Sequence, residues 1–347
     1  MKTTINKSPL PLLESPRIQQ LQLDKSGCKV YKIVLNAELH AVKHQQQENL
    51  MSARVVGYLL IEFYSQPDIF NDVARITLIS WLTNLCEGKS QHEVIYGNGK
   101  HCRDKFLRLF RISTAQYPEP SSHPSRPSFD SLEDMITDSM DYQASMKALA
   151  RDGYQCLLTG MIDRTSYINC VGLQAKAEHE KLPLGRLEVA HILNEPTTQG
   201  TNPEGDSNVN KTYFTASALG ILESFGFSEF SDKFNKSEGI HEVWNLLSLE
   251  HNVHQRFDNF ELWFEATEEP HCYKVCFFDE LDRVSFMSKS SRLCTDPFVV
   301  DFSSKDELLP PPHPSLLALH ATCARVAHMS GAAEFFDHIE WDAEEAN

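Results

Sequence analysis

A segment rich in proline and serine divides this chain of 347 residues. Four prolines and four serines fall within twelve positions, from Tyr117 to Ser128. Proline ends helices, and a polar stretch of this composition buries no apolar core. We therefore predict a linker and three other regions: a mainly helical accessory region over 1–116, the linker over 117–130, a second domain over 131–305, and a C-terminal helix with an acidic tail over 306–347.

The periodicity of apolar residues assigns elements on both sides of the linker. Apolar side chains recur at spacings of three and four over 48–65 and 69–85, which predicts amphipathic helices. Residues 28–42 alternate enough to predict one or two strands. Further predicted elements are a helix over 131–151, a strand over 187–193, a helix over 216–225, a helix over 249–257, a hairpin formed by 273–278 and 284–286 with 298–302 beside it, and a helix over 316–327.

Composition and charge exclude several classes of protein. No run of about 18 apolar residues can cross a membrane, and the first residues make a poor secretory signal, so we expect an intracellular protein of the cytoplasm or nucleus. The nine cysteines are scattered without any Cys-x-x-Cys pair, which favours reduced thiols. The net charge of -16 argues against tight nonspecific binding of nucleic acid, because such binding depends on Lys and Arg. Nothing in the sequence fixes an oligomeric state.

Three side chains in the second half of the chain fall on one face of a predicted helix. His251, His254 and Asp258 are three and four residues apart, the spacing that metal ligands on a helix require. Upstream, His191 stands on the apolar strand predicted over 187–193. Asn245 stands at the start of the predicted helix, where an amide can bond free backbone groups. Without His191, an ordinary amphipathic helix with its cap remains the simpler interpretation of this segment.

Four blocks in this order resemble the HNH endonucleases, in the version common in fungal and bacterial genomes that lacks zinc-binding cysteine pairs. The blocks are Ala148 to Gly160, Val189 to Ile192, Asn245 to Asp258, and Phe260 to Ala266. The resemblance implies an α+β fold with a ββα-metal (His-Me finger) core, a mainly helical N-terminal region, and a C-terminal β-hairpin plus helix. The nuclease domain would occupy 131–305, with an insertion over about 197–240.

The resemblance also implies a metal-dependent endonuclease that hydrolyses phosphodiester bonds in DNA. His191 would act as the general base that activates water, and Asn245 would hold the loop that orients His191. His254, supported by His251 or Asp258, would bind one divalent ion, whether Mg, Mn, Ni or Zn. Such an ion stabilises the charge that develops on the leaving oxygen.

Two positions depart from the family pattern. Ala190 stands where many members carry another metal ligand, and Glu188 could substitute only if its longer side chain reached toward the metal. Thr159 stands where many relatives carry the second cysteine of a zinc site, so we predict no structural zinc and a packing role for Cys156. Two alternatives stay open: an inactive HNH-fold binding or interaction module, and an enzyme that has turned the same pocket to a small substrate.

Basic and aromatic residues alternate in the accessory region. Lys100 to Arg111 holds five Lys or Arg residues and two Phe residues in twelve positions. Such a pattern can follow a phosphate backbone and stack bases, which makes Arg103, Lys105, Arg108 and Arg111 candidates for contact with nucleic acid. The alternative is an amphipathic helix with a solvated basic face. We expect this region to supply the choice of target or of a protein partner.

Overall fold

The computed structural model describes residues 8–84, 88–111, 140–194, 219–234, 239–281, 283–284, 298–306 and 308–345. The predicted linker at 117–130 and the polar loop at 197–210 lie outside these ranges. The chain divides into two compact units. The accessory unit comprises Met1–Phe110, Glu195–Asn235 and Thr322–Asn347, and the second unit comprises Arg111–Asn194 and Lys236–Ala321.

Helices and short strands are mixed along the described residues, in agreement with the predicted α+β class. The helices are α1 (Pro16–Gln20), α2 (Lys25–Lys43), α3 (Gln47–Ser65), α4 (Asp72–Thr83), α5 (Gln91–His101), α6 (Met140–Arg151), α7 (Arg164–Asn169), α8 (Val171–Glu180), α9 (Ser228–Phe234), α10 (His251–Asp258), α11 (Pro314–Ser330) and α12 (Ala332–Glu345). The strands are β1 (Ile162–Asp163), β2 (Leu184–Gly185), β3 (Leu187–His191), β4 (Leu246–Glu250), β5 (Leu262–Ala266), β6 (Cys272–Phe277) and β7 (Val299–Asp301).

The core of the accessory unit is built by α2, α3 and α5. The strands predicted over 28–42 are wrong, because this segment forms α2. The carboxylate of Asp24 caps the helix by accepting the backbone N–H of Gly27 at 2.7 Å. The same residues that alternate also place Val30, Val34 and Ala41 on one buried face at helical spacing. Gly99 lets α5 approach α3 closely, since an added Cβ would meet the backbone of Ser52.

The acidic C-terminal segment is a helix with a buried face. Phe336 of α12 is 2% exposed, and Ala332 and Ala333 are also buried. Among the described side chains of the predicted acidic tail, Glu334 is partly exposed and Asp337 is exposed, whereas Phe336 packs. Of the helix predicted over 216–225, the described residues 219–224 are helical.

The centre of the second unit is the antiparallel pair β3 and β4, followed directly by α10. The register places Leu187 opposite Glu250 and His191 opposite Leu246. We predicted a helix from 249, but residues 246–250 form β4 and the helix begins at His251. The α6 helix covers this pair, with Ala148 packed against Val189 and Leu246.

A second sheet of three antiparallel strands has the order β5, β6, β7. The pairing of β6 with β7 confirms the strand predicted over 298–302. The predicted hairpin between 273–278 and 284–286 is wrong. Strand β6 pairs with β5 along one edge and with β7 along the other, and Arg283 and Val284 are helical. Phe264 of β5 and Phe302 close the core of this sheet with ring centroids 4.9 Å apart.

Two further observations concern the described residues as a whole. Their helices include none that is long and apolar enough to cross a membrane. The seven cysteines that lie in these ranges are free thiols.

Candidate active site

Glu188 connects the strand pair to the helix that follows it. Its side chain projects from β3, and its Oε2 atom lies 3.0 Å from Nδ1 of His254 and 3.1 Å from Nδ1 of His251. Both histidines belong to α10, which packs beside β3. Arg186 completes the contacts of the carboxylate, with its guanidinium 3.1 Å from Oε1. The strand thus delivers a carboxylate to the face of α10 that carries the two imidazoles.

The opposite edge of the His254 ring faces a second carboxylate. Nε2 of His254 lies 3.1 Å from Oδ2 of Asp258, one turn further along α10. His254 and Asp258 are each 1% exposed, so this part of the site is shielded from solvent. A single imidazole is therefore held between two carboxylates, which are supplied by β3 and by the helix itself.

Burial and the neighbouring charges shift the pKa of these groups in opposite directions. Burial alone would lower the pKa of His254, but the charge and hydrogen bonding of Asp258 and Glu188 outweigh it and raise the pKa to about 10. Burial alone would raise the pKa of Glu188, but the hydrogen bonds and charges of His254 and His251 lower it to about 2. These shifts favour the charged forms of both His254 and Glu188, whose side chains contact each other.

The donor set on the Nδ1 side of His254 suits a divalent ion. Carboxylate and imidazole are common ligands of Zn, Ni and Mn, and Mg accepts carboxylate oxygens. Donor atoms about 3.0 Å apart have the separation of adjacent ligands around an ion bound at about 2.1 Å. Glu188 Oε2 meets this condition with Nδ1 of His254 and with Nδ1 of His251. An ion would take the place of the proton on Nδ1, as metal binding to imidazole requires.

The same geometry separates the predicted ligands into two groups. His251 and His254 present nitrogens to Glu188, whereas Asp258 contacts the other nitrogen of His254. Asp258 is therefore placed to orient His254 rather than to share an ion at Nδ1. In the described residues, no group of three or more His, Cys, Asp or Glu side chains has the arrangement of a complete metal site. The side chains contact one another through hydrogen bonds instead.

His191 is the last residue of β3, three residues beyond Glu188. It is half-buried, and its Nε2 atom lies 3.3 Å from Nδ1 of His241. The two rings meet edge to face, with centroids 5.4 Å apart. The structure thus places a second histidine directly beside the predicted general base.

Asn245 fixes the backbone that follows His191. Its side-chain oxygen accepts the N–H of Leu193 at 2.9 Å, and its amide group donates to the carbonyls of Leu193 and Ile240, each at 2.9 Å. Its own carbonyl accepts the N–H of Ile192 at 2.8 Å. Asn245 is fully buried and ends a short 3-10 turn before β4, so it does not cap α10 as its position had indicated.

A buried ion pair from α6 holds the segment around Asn245. Arg151 is fully buried and donates to the carbonyls of Val243 and Leu246 at 2.7 and 2.8 Å. Its guanidinium is also paired with Asp152, which accepts the N–H of Ser248 at 3.2 Å. The chain is therefore held on both sides of Asn245.

Cys156 performs a similar positioning function at the far end of β4. Its thiol is buried and accepts the backbone N–H groups of Thr159 and Glu250 at 3.4 and 3.3 Å. Burial raises the pKa of this thiol, and the unionised form is favoured there. These contacts tie the turn after Cys156 to the strand that leads into α10.

The four basic candidates between Lys100 and Arg111 have different surroundings, and Arg111 belongs to the other unit. Arg103 and Arg111 are 2% and 6% exposed. The Arg103 guanidinium lies 2.6 Å from Asp104 and 4.0 Å from the centre of the Phe335 ring. Lys105 and Arg108 are partly exposed. Their contact with nucleic acid stays a prediction, and only the last two have side chains on the surface.

Three residues that contact the site were not predicted from the sequence: Arg151, Asp152 and His241. Arg151 and Asp152 lie inside the first of the four blocks, and His241 opens the segment that leads to Asn245, but none had an assigned role. Most of their contacts join residues far apart in sequence, which the pairing of β3 with β4 and the packing of α6 on that pair bring together. The one signal available in the sequence was the pair of adjacent charged residues, Arg151 and Asp152, within the first block.

Comparison with known proteins agrees with the geometry of this unit. Residues 156–265 match the family model described as HNH endonuclease. No curated protein matches the chain, and no solved structure does. The matched range begins at Cys156 and runs through β3, β4 and α10 into β5, so it contains the site residues from Cys156 to Asp258 but neither Arg151 nor Asp152. Residues 156–265 of this chain are accordingly a domain of the HNH endonuclease family.

Proposed function

We propose that this domain is a metal-dependent endonuclease with a ββα-metal core, and that it hydrolyses phosphodiester bonds in DNA. The observation that carries the proposal is the meeting of Glu188 with His251 and His254. Two antiparallel strands and a helix bring these side chains together, and His191 is the last residue of the first strand. The family match over the same residues supports a nuclease in general terms.

The main objection to a metal site was Ala190, which stands where many family members carry a ligand. We propose that the carboxylate of Glu188 supplies that ligand instead. Ala190 is fully buried and offers no ligand, but Glu188 points to the same side of β3 and reaches both imidazoles of α10. We propose Glu188, His254 and His251 as the residues that hold one divalent ion. Asp258 keeps the His254 ring in place through its other nitrogen. When bound, such an ion neutralises negative charge on the scissile phosphate and on the leaving oxygen.

His191 acts as the general base in this proposal. A neutral imidazole near pH 7 takes the proton of the attacking water, and its position at the end of β3 is fixed by the backbone bonds around it. The Ile192 N–H is bonded to Asn245, and so is the Leu193 N–H. Asn245 therefore orients His191 through the chain that follows it and does not act on substrate itself.

A second candidate function is an HNH-fold binding module without cleavage. The buried Ala190 and the net charge of -16 favour it, because the first removes a common ligand and the second weakens attraction for a polynucleotide. The small-substrate enzyme shares the charge argument only. In each case the accessory unit would select the target or the protein partner.

Plasmid cleavage tests the proposal. Purified full-length protein is incubated with supercoiled DNA and Mg²⁺, Mn²⁺, Ni²⁺ or Zn²⁺, and nicked and linear products are measured. We expect cleavage by the wild type and a loss of about 10²- to 10⁴-fold for His191→Ala, the usual contribution of a general base. His254→Ala should lose both cleavage and bound metal. His179→Ala, in an exposed position on α8 of the same domain, is the matched control.

Two results would decide against an endonuclease. Cleavage by His254→Ala at the wild-type rate would show that the activity comes from elsewhere. No cleavage by the wild type, together with metal bound in a His254-dependent manner, would favour the binding module or the small-substrate enzyme.

A further inference from the structure

We infer that His241 is a positioning residue for the proposed general base, holding His191 in the tautomer that leaves Nδ1 to accept a proton. The inference rests on the proposed function for its effect on catalysis, but not for the contact itself. Nε2 of His191 and Nδ1 of His241 are 3.3 Å apart, and both rings are half-buried. His241 is not among the residues proposed to hold the ion.

The contact has consequences for proton placement, because only one of the two facing nitrogens can carry the shared proton. When Nε2 of His191 donates, Nδ1 of the same ring is unprotonated and can act as a base. When His241 donates instead, Nδ1 of His191 carries the proton and the ring cannot accept another there. An acceptor at the δ position of residue 241 therefore selects the active tautomer.

The same acceptor stabilises the product of the proton transfer. Once His191 takes the proton of water on Nδ1, both of its nitrogens carry hydrogen and the ring is positively charged. The N–H at Nε2 then makes a charge-assisted hydrogen bond to Nδ1 of His241, which is stronger than the neutral bond that it replaces. A carboxylate fills this position in the Ser-His-Asp arrangement, and a neutral imidazole fills it here.

The backbone holds His241 where this contact requires it. His241 ends the short turn Gly239–His241, and the carbonyl of Ile240 accepts a hydrogen bond from the side chain of Asn245 at 2.9 Å. Asn245 also bonds both backbone groups of Leu193. One buried amide thus links the segment after His191 to the segment that carries His241.

Two amide substitutions separate positioning from bulk. The Oδ1 atom of asparagine occupies nearly the place of histidine Nδ1, whereas the polar atoms of glutamine lie one bond further, near Nε2. His241→Asn therefore retains an acceptor for His191, and His241→Gln and His241→Ala do not. All three remove a titrating group, so a difference between them reports on the position of the acceptor.

The test combines the imidazole nitrogens with the cleavage rate. Full-length, metal-free protein with ¹⁵N-labelled histidine is measured by NMR, with the His191 signals assigned from their loss in His191→Ala. We expect His191 to be protonated on Nε2 and unprotonated on Nδ1 in the wild type and in His241→Asn. In His241→Ala and His241→Gln we expect a mixture of tautomers. Single-turnover nicking should stay within about threefold for His241→Asn and fall about 10-fold or more for the other two.

Each outcome decides the inference. Protonation of His191 on Nδ1 in the wild type, or an unchanged tautomer in His241→Ala, would overturn it. Equal nicking rates for His241→Asn and His241→Ala would overturn the catalytic part. If the wild type cuts no DNA, the proposed endonuclease function fails, and the NMR result alone still supports or overturns the positioning role of His241.

Discussion

Replacing Asn245 with alanine should destabilise the second unit strongly, because this fully buried side chain satisfies three backbone groups. The groups are the N–H of Leu193 and the carbonyls of Leu193 and Ile240, each bonded at 2.9 Å. A hydrogen bond contributes about 1 kcal/mol net, and an orphaned buried partner costs about 1–3 kcal/mol. Asn245→Ala should therefore lower the free energy of unfolding by about 3 kcal/mol or more.

The assay combines urea unfolding and thermal unfolding with amide hydrogen exchange. A loss of about 3 kcal/mol moves the thermal midpoint of a unit of this size by roughly 6–12 °C, and the Leu193 amide should lose its protection even before global unfolding. Asn252→Ala is the matched control, because the Asn252 side chain is exposed and bonds only at 3.3 Å to Glu250. Such a surface change should stay within about 0.5 kcal/mol. Equal unfolding midpoints for the two variants would refute the role assigned to Asn245.

Three further predictions concern buried ionisable side chains. Burial lowers the pKa of His320 from 6.5 to about 4, so between these pH values the imidazole is protonated in the unfolded chain only. The free energy of unfolding should therefore fall by about 3 kcal/mol as the pH drops from 6.5 to 4. In urea unfolding, His320→Phe should flatten this dependence on pH. Arg151→Met should destabilise the unit by about 3–5 kcal/mol, since it leaves a buried carboxylate unpaired, and an unchanged urea midpoint would contradict this. Glu188→Gln should weaken Mn²⁺ binding in calorimetry about 10-fold or more, whereas the exposed control Glu178→Gln should bind as the wild type does.

The strand and helix that hold the site residues could be predicted from the sequence, whereas most contacts between those residues could not. The strand that holds His191 and the helix that holds His254 were both predicted, because the strand is a short apolar run between Gly185 and Pro196 and the helix has helical spacing. The β4 strand was missed since residues 246–250 lead directly into α10 with no turn residue between them. Alternation also misled over residues 28–42, where the same apolar positions fit a helix.

The partners within the site depended on strand pairing, which no spacing rule supplies. Glu188 and His254 are 66 residues apart, and His191 and His241 are 50 apart. Antiparallel pairing of β3 with β4 brings each pair together, and the intervening segment leaves no sequence mark of that register. The burial of Arg103 was equally hidden, because a basic stretch reads the same whether its charges face solvent or pair with acids inside.

The most direct test of the proposed mechanism is chemical rescue of plasmid nicking by His191→Ala. With the metal site intact, exogenous imidazole can occupy the space left by the missing ring and accept the proton of water. We predict that His191→Ala binds Mn²⁺ as the wild type does, nicks DNA slowly, and regains activity as imidazole is added, whereas His254→Ala does not respond. Nicking by His191→Ala at the wild-type rate without imidazole would contradict the assignment of His191 as the general base.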